Sequence, residues 1–282
     1  INVNDCGFDL KQCKAFKEKF PVIDAACIPS GMQGPYPAFY ENLSLEEKKK
    51  ESDKKKYNNF LTILDYLKVL KPEYFFALTG GAVYGGKKAL LMPYTGVGTA
   101  SEAQQFLEKK KFKVKPILLS EKCSFDFKSR QVSGKFIDHN HENSHEYFKE
   151  ISLLQSPFEE GGNFWVSKSE RIDLSALLFN ARSKQLAWQK RLKIISNSVF
   201  FIDVGQDYIY RLSLADNSVT KIIENKIKDD EYEIFRIPYS LLIGFLTRHY
   251  NYSNLKTQFI DFYRKPDVFN PQLHLLMSHL HL

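Results

Sequence analysis

The opening segment of the chain, INVNDCG, places a carboxylate where α/β proteins often perform chemistry. Ile1 and Val3 are apolar and alternate with asparagines, which is the period of a strand, and turn-forming residues follow. Asp5 therefore ends a predicted strand, and carboxylates in the loops beyond strand ends can bind metals or act in catalysis. The alternative is a turn residue that hydrogen-bonds its own backbone, and for Asp5 taken alone this is the stronger interpretation.

A loop rich in glycine and aromatic residues, IPSGMQGPYPAFYEN, is the second candidate. It follows directly after a predicted strand at residues 22–28. Gly31 and Gly34 allow close approach of the backbone to a neighbour, and Tyr36 and Tyr40 supply flat rings with hydroxyl groups. A rigid loop of this kind suits a pocket wall. Packing over the edge of the fold is an equally supported interpretation, and both stay open.

The third candidate is the glycine-rich segment LTGGAVYGGKKALLMPYTGVGTASEA, residues 78–103. Its glycines, Gly80 and Gly81 among them, surround the end of a predicted strand and the start of a predicted helix. The segment matches neither G-x-G-x-x-G nor the P-loop, because the third glycine and the lysine are missing. The helix start at Thr99 and Ser101 is a weak candidate for anion binding. The alternative is that the paired glycines mark a hairpin with tight backbone packing.

The histidines are absent from the first 120 residues. His139, His141 and His145 lie in the stretch DHNHENSH, which resembles a metal motif, but no predicted helix or strand fixes their geometry. A solvated loop is therefore the favoured interpretation of that stretch. Three further histidines follow an apolar pattern near the C-terminus, and we interpret them as residues on a helix face: His274, His279 and His281.

Charge and cysteine content narrow the partners of the protein. The 282 residues carry a net charge of +7, and many basic residues lie in EEKKKESDKKK at 46–56, interleaved with carboxylates. This pattern is typical of a solvated helix face, so we expect an anionic small molecule as partner, and nucleic-acid binding rests on charge alone. The cysteines form no C-x-x-C pair, so we expect reduced thiols in a cytoplasmic protein. No apolar run approaches the ~20 residues that would span a bilayer.

Hydrophobic patterning divides the chain into an α/β part, a connector and an α+β part. Strands and helices alternate in residues 1–120, which is typical of an α/β layer. Residues 121–164 are polar, apart from a strand or hairpin near KFID and a helix near HEYFKEI. Residues 165–282 predict one helix at 172–192 and then three strands, SVFFIDVG, YIYRLSLA and SVTKIIEN, joined by short turns as in an antiparallel sheet. A further helix is predicted at YSLLIGFLTRHY. Because the first strand begins at once, we expect a fragment of a longer protein, the alternative being a processed N-terminus with an edge strand.

Four segments of the chain, in order, resemble the later half of one branch of the metallo-β-lactamase superfamily, the CMP-N-acetylneuraminate hydroxylase-like proteins. They are INVNDC, SGMQGPYPAFYEN, KPEYFFALTGGAVYGG and FYRKPDVFNPQLHLLMSHLHL. The resemblance implies that residues 1–120 are the second half of a four-layer αββα sandwich and that 165–282 are an appended α+β domain. It also implies that Asp5 is the family's metal-bridging aspartate. The family's late histidine ligand falls at Gly80–Gly81, and its H-x-H-x-D-H motif has no counterpart in this sequence.

The leading hypothesis is a fragment of a metal-dependent enzyme, either an oxygenase (a hydroxylase or monooxygenase) or a hydrolase, acting on a nucleotide sugar or related anionic sugar. The resemblance implies iron or zinc with its main ligands in the absent half, a Rieske [2Fe–2S] cluster in the longer protein, and an electron-transfer partner. Asp5 would be a metal ligand. The residues that would line the substrate pocket are Ser30, Gly31, Tyr36, Tyr40, Gly80 and Gly81. The alternative is a non-catalytic binding or scaffold module on a decayed fold, which the missing late histidine favours.

Overall fold

The computed structural model describes residues 1–4, 6–31, 33–79, 83–138, 144–154 and 172–282. Five residues singled out from the sequence lie outside this described part: Asp5, Gly80, Gly81, His139 and His141. The described chain is a mixed α/β protein with open sheets, which confirms the predicted fold class in its coarse form. The αββα sandwich stays a prediction.

Two compact units share the chain, and each of them is assembled from separate segments. The first contains Ile1–Gln33, Leu45–Val83 and Leu90–Glu150, and the second contains Gly34–Ser44, Tyr84–Ala89 and Ile151–Leu282. Residues 34–44 and 84–89 thus belong with the second unit, although their neighbours along the chain belong to the first. The boundaries predicted at 120 and 164 stay predictions.

The first unit is built on a parallel sheet with helices packed against it. Its strands lie in the order β1 (Ala25–Gly31), β2 (Tyr74–Thr79) and β3 (Lys115–Ile117). Asn2 forms a parallel bridge to Cys27, so the segment predicted as the opening strand is present as a single bridge. Its helices are α1 (Leu10–Lys19), α2 (Leu45–Leu70) and α3 (Ala100–Lys109). A 3-10 helix at Gly86–Tyr94 and helix α4 (His145–Ser152) each include residues of both units.

Helix α2 buries one face because its apolar residues recur at helical spacing. Phe60, Ile63, Leu64 and Leu67 are three or four positions apart, and all four are buried in one cluster with residues of the sheet. Full burial of a side chain of this size contributes about 1.5–3 kcal/mol to folding. The face therefore anchors the helix to the parallel sheet.

A small hairpin follows the first sheet and differs from the expected one. Its strands are β4 (Ser124–Asp126) and β5 (Gln131–Ser133), which pair antiparallel. The Asp126 carboxylate accepts from the backbone N–H groups of Lys128 and Ser129, at 2.6 and 3.1 Å, and so fixes the turn. A hairpin is thus present close to the strand or hairpin predicted near KFID, but it ends at Ser133, before residues 135–138, whereas the helix predicted near HEYFKEI is confirmed as α4.

The second unit contains a five-stranded sheet in the order β10-β9-β6-β7-β8. These strands are β6 (Val199–Asp203), β7 (Ile209–Ser213), β8 (Val219–Ile222), β9 (Tyr232–Arg236) and β10 (Asp261–Lys265). Strands β6, β7 and β8 pair antiparallel, as the short turns predict, but β6 and β9 are parallel, so the expected antiparallel sheet is a mixed one. The helices are α5 (Leu174–Arg191), α6 (Tyr239–Leu246), α7 (Tyr252–Gln258) and α8 (Pro271–Met277).

The C-terminal histidines do not share a helix. His274 lies within α8, but His279 and His281 follow its last residue, so their assignment to a helix face is wrong. The apolar pattern continues past the helix because Leu280 is buried without being helical. Burial, rather than helical spacing, explains the periodicity of this tail.

A fully buried arginine ties α5 to the second sheet. Arg182 donates from Nε to the Ser213 carbonyl at 2.8 Å, and from its Nη atoms to the side-chain oxygens of Gln185 and Gln189, both at 3.0 Å. Burial lowers the pKa of Arg182 to about 10. The two glutamines extend this hydrogen-bond network, because Gln185 donates to the Leu276 carbonyl and Gln189 donates to the Leu214 carbonyl.

None of the described helices combines the length and the apolar character that a membrane crossing requires.

Candidate functional site

The carboxyl ends of the first unit's strands meet at one edge of its sheet. Strands β1, β2 and β3 are parallel, and the segment around Asn2 bridges β1 in the same direction. In parallel sheets this edge is the usual place for a ligand. Two predicted site residues, Ser30 and Gly31, end β1 at this edge, while Asp5, Gly80 and Gly81 lie outside the described residues.

Ser30 and Gly31 are engaged by the fold around them. The fully buried Ser30 hydroxyl donates to the Gly98 carbonyl at 2.8 Å, with the Leu78 carbonyl at 3.3 Å. A Cβ on Gly31 would lie 3.0 Å from Val97 Cα, so the close backbone approach predicted there is present. A Cβ on Gly34 would meet nothing within 4 Å, so no such approach occurs at that residue. Their contact with a substrate stays a prediction.

The described residues do not supply a metal site. No group of three His, Cys, Asp or Glu side chains within the described ranges is arranged to hold an ion. His145 is part of α4, and the four cysteines are free thiols. The iron or zinc implied by the resemblance, with its main ligands in the absent half, stays a prediction, and Asp5 lies outside the described residues.

Tyr36 and Tyr40 belong to the second unit, where both lie against one arginine. The Arg264 guanidinium carbon is 4.4 Å from the centre of the Tyr36 ring and 4.5 Å from that of Tyr40. The two rings meet edge to face with their centres 5.1 Å apart. Cation–π contact of this kind stabilises a cation that has left bulk water. The loop rich in glycine and aromatic residues therefore packs two of its rings, Tyr36 and Tyr40, against the buried guanidinium of Arg264.

A carboxylate fixes the orientation of the Arg264 side chain. Nε of Arg264 donates to Asp267 Oδ1 at 2.6 Å, and the Tyr36 hydroxyl donates to Asp267 Oδ2 at 3.1 Å. The Arg264 side chain is only 5% exposed. Its two Nη atoms have no hydrogen-bond partner among the described residues, yet neither is fully enclosed. Arg264 is thus held in place while its two Nη groups have no hydrogen-bond partner in the described part of the chain.

Glu233 lies opposite Arg264 on the neighbouring strand and is at the centre of a chain of hydrogen bonds. Its Oε1 accepts from the Tyr40 hydroxyl at 3.2 Å and from His274 Nε2 at 3.1 Å. The other ring nitrogen, Nδ1, forms a hydrogen bond with the Tyr252 hydroxyl at 2.8 Å. Burial raises the pKa of Tyr40 and of Tyr252, so both hydroxyls remain donors.

These two strands border a cavity of about 660 Å³. Glu233 and Arg264 line it, together with residues of the segment from Lys265, at the end of β10, to Leu273, in the first turn of α8. Asn197, Ser198, Asn270 and Gln272 add polar groups to the wall, and Val199, Val268, Phe269 and Leu273 add apolar ones. The cavity combines apolar walls with a small number of buried polar groups, which is the usual composition of a small-molecule site.

The sequence predicted the aromatic side of this site but not its acidic side. It selected the tyrosines and the FYRKPD segment that contains Arg264 and Asp267, but it assigned no role to Glu233 or Tyr252. A signal was present, because each of β9 and β10 carries one charged residue at a position whose same-face neighbours, Phe235 and Phe262, are apolar and buried.

Comparisons of the chain with protein-family models, with curated proteins and with solved structures found no match.

Proposed function

We propose that this protein recognises a small molecule that bears a carboxylate or phosphate group, and that the cavity beside Arg264 in the second unit is the binding site. The observation that carries the proposal is the state of Arg264, a buried guanidinium with two unused Nη groups at the wall of a cavity. Asp267 pairs with Nε, and the Nη groups keep access to the cavity, so an anionic ligand could bind them without displacing a protein partner.

The geometry favours an oxyanion over a neutral ligand. A guanidinium presents parallel N–H groups that match the two oxygens of a carboxylate or phosphate. Asp267 occupies Nε alone, and the rings of Tyr36 and Tyr40 prevent the guanidinium from turning away. An arginine oriented before binding loses little conformational entropy when the ligand arrives. The proposal agrees with the anionic small molecule expected from the sequence.

The test is calorimetric titration of the full chain with 3-phenylpropanoate and with phenyl phosphate. We expect at least one probe to bind, and Arg264→Gln to weaken its affinity more than tenfold, since each charge-assisted hydrogen bond is worth about 1.5–3 kcal/mol. Arg264→Lys keeps the positive charge but loses the two parallel N–H donors of the guanidinium, so it should give an intermediate affinity.

Arg211→Gln is the matched control. Arg211 is also a strand arginine with one carboxylate partner, Asp229, but it does not line the cavity. It should leave the affinity unchanged, and thermal unfolding of each variant checks that the fold is retained. Failure of both probes to bind the wild type, or wild-type affinity in a folded Arg264→Gln variant, would overturn the proposal.

A second candidate is the metal-dependent enzyme of metallo-β-lactamase type acting on an anionic sugar derivative. It is favoured by one observation, the parallel direction of the Asn2 segment and of β1 and β2, whose carboxyl ends meet at one edge. Because the described residues hold no metal site, the candidate depends on Asp5 and on the resemblance. Further ligands would come from outside the described residues.

Metal analysis tests this second candidate directly. Protein produced from its complete reading frame should contain stoichiometric iron or zinc, and Asp5→Ala should lose it. Asp53→Ala is the control, because Asp53 is an exposed residue of α2 whose ion-pair partner among the described residues is Lys49. Wild-type protein without stoichiometric metal, or Asp5→Ala protein that keeps it, would exclude Asp5 as a ligand.

A further inference from the structure

We infer that the ligand of the second-unit cavity is a zwitterion of the α-amino acid type, whose carboxylate binds Arg264 and whose ammonium group binds Glu233. This inference rests on the proposed carboxylate site and adds a second recognition element to it. It follows from the relation between the two charged residues that line the cavity.

Glu233 and Arg264 form a cross-strand pair without forming an ion pair. They are register partners in the antiparallel ladder of β9 and β10, so their side chains leave the same face of the sheet. Among the described residues, no contact within 4 Å joins the carboxylate to the guanidinium, because each is turned toward its own partners. Arg264 faces Asp267, while Glu233 faces Tyr40 and His274.

Each member of the pair keeps unused hydrogen-bonding capacity. Glu233 uses Oε1 for both of its hydrogen bonds, and its Oε2 has no partner among the described residues and is not fully enclosed. The Glu233 side chain is 4% exposed, and Arg264 is 5% exposed. The cavity therefore presents a buried, negatively charged hydrogen-bond acceptor, the Glu233 carboxylate, next to a buried, positively charged hydrogen-bond donor, the Arg264 guanidinium.

The charges of the wall balance each other. The cavity is lined by two carboxylates, Glu231 and Glu233, and by two cations, Arg264 and Lys265. A wall of zero net charge attracts a zwitterion as well as it attracts an anion. Directly opposite residues of an antiparallel pair have Cβ atoms about 4.5–5.5 Å apart, so both head groups can reach substituents of a single carbon atom. An α-carbon carries an ammonium and a carboxylate at that spacing.

The remaining wall indicates the side chain of the ligand. Val199, Val268, Phe269 and Leu273 give one side of the cavity an apolar character, and its volume of about 660 Å³ has room for an aromatic ring. Phenylalanine is therefore a suitable probe. Two compounds of the same skeleton each lack one charged group: 3-phenylpropanoate lacks the ammonium, and 2-phenylethylamine lacks the carboxylate.

The test is titration of the full wild-type chain with these three compounds under one set of conditions. We expect phenylalanine to bind about tenfold more tightly than either analogue, since each analogue loses a charge-assisted hydrogen bond. Glu233→Gln should remove the advantage of phenylalanine over 3-phenylpropanoate. Asp229→Asn, at a carboxylate that pairs with Arg211 and does not line the cavity, should preserve that advantage.

The outcomes separate this inference from the proposal on which it rests. If 3-phenylpropanoate binds as tightly as phenylalanine, the zwitterion is excluded and the anion site stands. If 2-phenylethylamine binds as tightly as phenylalanine, the carboxylate adds nothing to the affinity, and its proposed binding to Arg264 is excluded together with the zwitterion. If none of the three compounds binds, the zwitterion fails, and the anion site stands or falls with the binding of phenyl phosphate. The comparison uses wild-type protein, so it stays decisive even if Glu233→Gln does not fold.

Discussion

Tyr40 and Phe262 stack face to face, with ring centres 5.1 Å apart and ring planes inclined by 13°. Their backbones also pair as a parallel bridge, with the Phe39 carbonyl accepting from Phe262 N–H and the Phe262 carbonyl accepting from Glu41 N–H. The aromatic loop thus extends the second sheet beyond β10. This relation fixes the Tyr40 hydroxyl at the Glu233 carboxylate.

Replacement of Tyr40 by phenylalanine isolates the hydroxyl from the stack. Tyr40→Phe should destabilise the protein by about 1.5–3 kcal/mol, because a buried hydrogen bond to a carboxylate is lost while the ring contact remains. Urea unfolding measures the change. Tyr57→Phe, at an exposed tyrosine of α2, should change the free energy of unfolding by less than about 0.5 kcal/mol. Equal effects of the two variants would contradict the role assigned to the Tyr40 hydroxyl.

Two glycines of the same loop should respond differently to alanine. Gly31→Ala should cost about 1–3 kcal/mol, because the new Cβ lies 3.0 Å from Val97 Cα and the backbone there cannot yield easily. Gly34→Ala meets nothing within 4 Å and should be neutral or stabilising by about 0.4–1 kcal/mol. Thermal unfolding of both variants checks the pair. A tolerated alanine at 31 would show that the strand end can move away from residues 97 and 98.

The buried part of α2 predicts a rise in stability at alkaline pH. Burial lowers the pKa of Lys55 to about 8, below its value of 10.5 in the unfolded chain. The unfolded state therefore binds more protons between these values, so this lysine makes stability rise from pH 8 to 10.5, by up to about 3 kcal/mol. Below pH 8 its full penalty is present.

Variants at neighbouring positions isolate this contribution. Lys55→Gln should lack the rise when unfolding free energies at pH 7 and pH 10 are compared, whereas Lys54→Gln, at an exposed lysine, should show it. Lys55 Nζ donates to the Thr95 carbonyl at 2.8 Å, and the shorter glutamine alters this contact at both pH values alike. The same pH profile in both variants would rule Lys55 out as the source.

Removal of the buried arginine of α5 should loosen the second unit. Arg182→Ala should destabilise the protein by at least about 3 kcal/mol, because the Ser213 carbonyl and two glutamine oxygens lose their donors and a cavity opens. Arg191→Ala removes an exposed arginine from the same helix and should change stability by less than about 0.5 kcal/mol. Chemical denaturation measures both, and a small effect at 182 would mean that the glutamines find other partners.

The helices were readable from sequence because their patterns are local. Helix α2 shows apolar residues at helical spacing from Phe60 to Leu70, and α3 begins after Thr99, whose side chain and that of Glu102 form a capping box. The three strands β6, β7 and β8 were found because short turns join them. The parallel pairing of β6 with β9 was not readable, since the two are linked through a long connection and no local signal sets their register.

The missed strands and the missed half of the site have one physical cause. Glu233 and Arg264 occupy buried positions of β9 and β10, so each strand shows a charge where the period of two requires an apolar residue. Glu233 and Arg264 supply the buried charges of the cavity, and the same charges interrupt the apolar pattern from which β9 and β10 could have been predicted. Departures from a local rule are expected at functional sites. The tyrosines were found because rings and glycines stand out without any knowledge of pairing.

The interleaving of segments in the two units limits how this protein can be taken apart. Tyr36 and Tyr40 precede α2 in the chain but contact Arg264 and Glu233, which follow it by more than 160 positions. A C-terminal piece cut anywhere after residue 150 would lose both tyrosines and the bridge to Phe262. Limited proteolysis or truncation would therefore not release the complete binding site. A rearrangement of the gene would transfer the site intact only if it moved the segment with Tyr36 and Tyr40 together with the segment that contains Glu233 and Arg264.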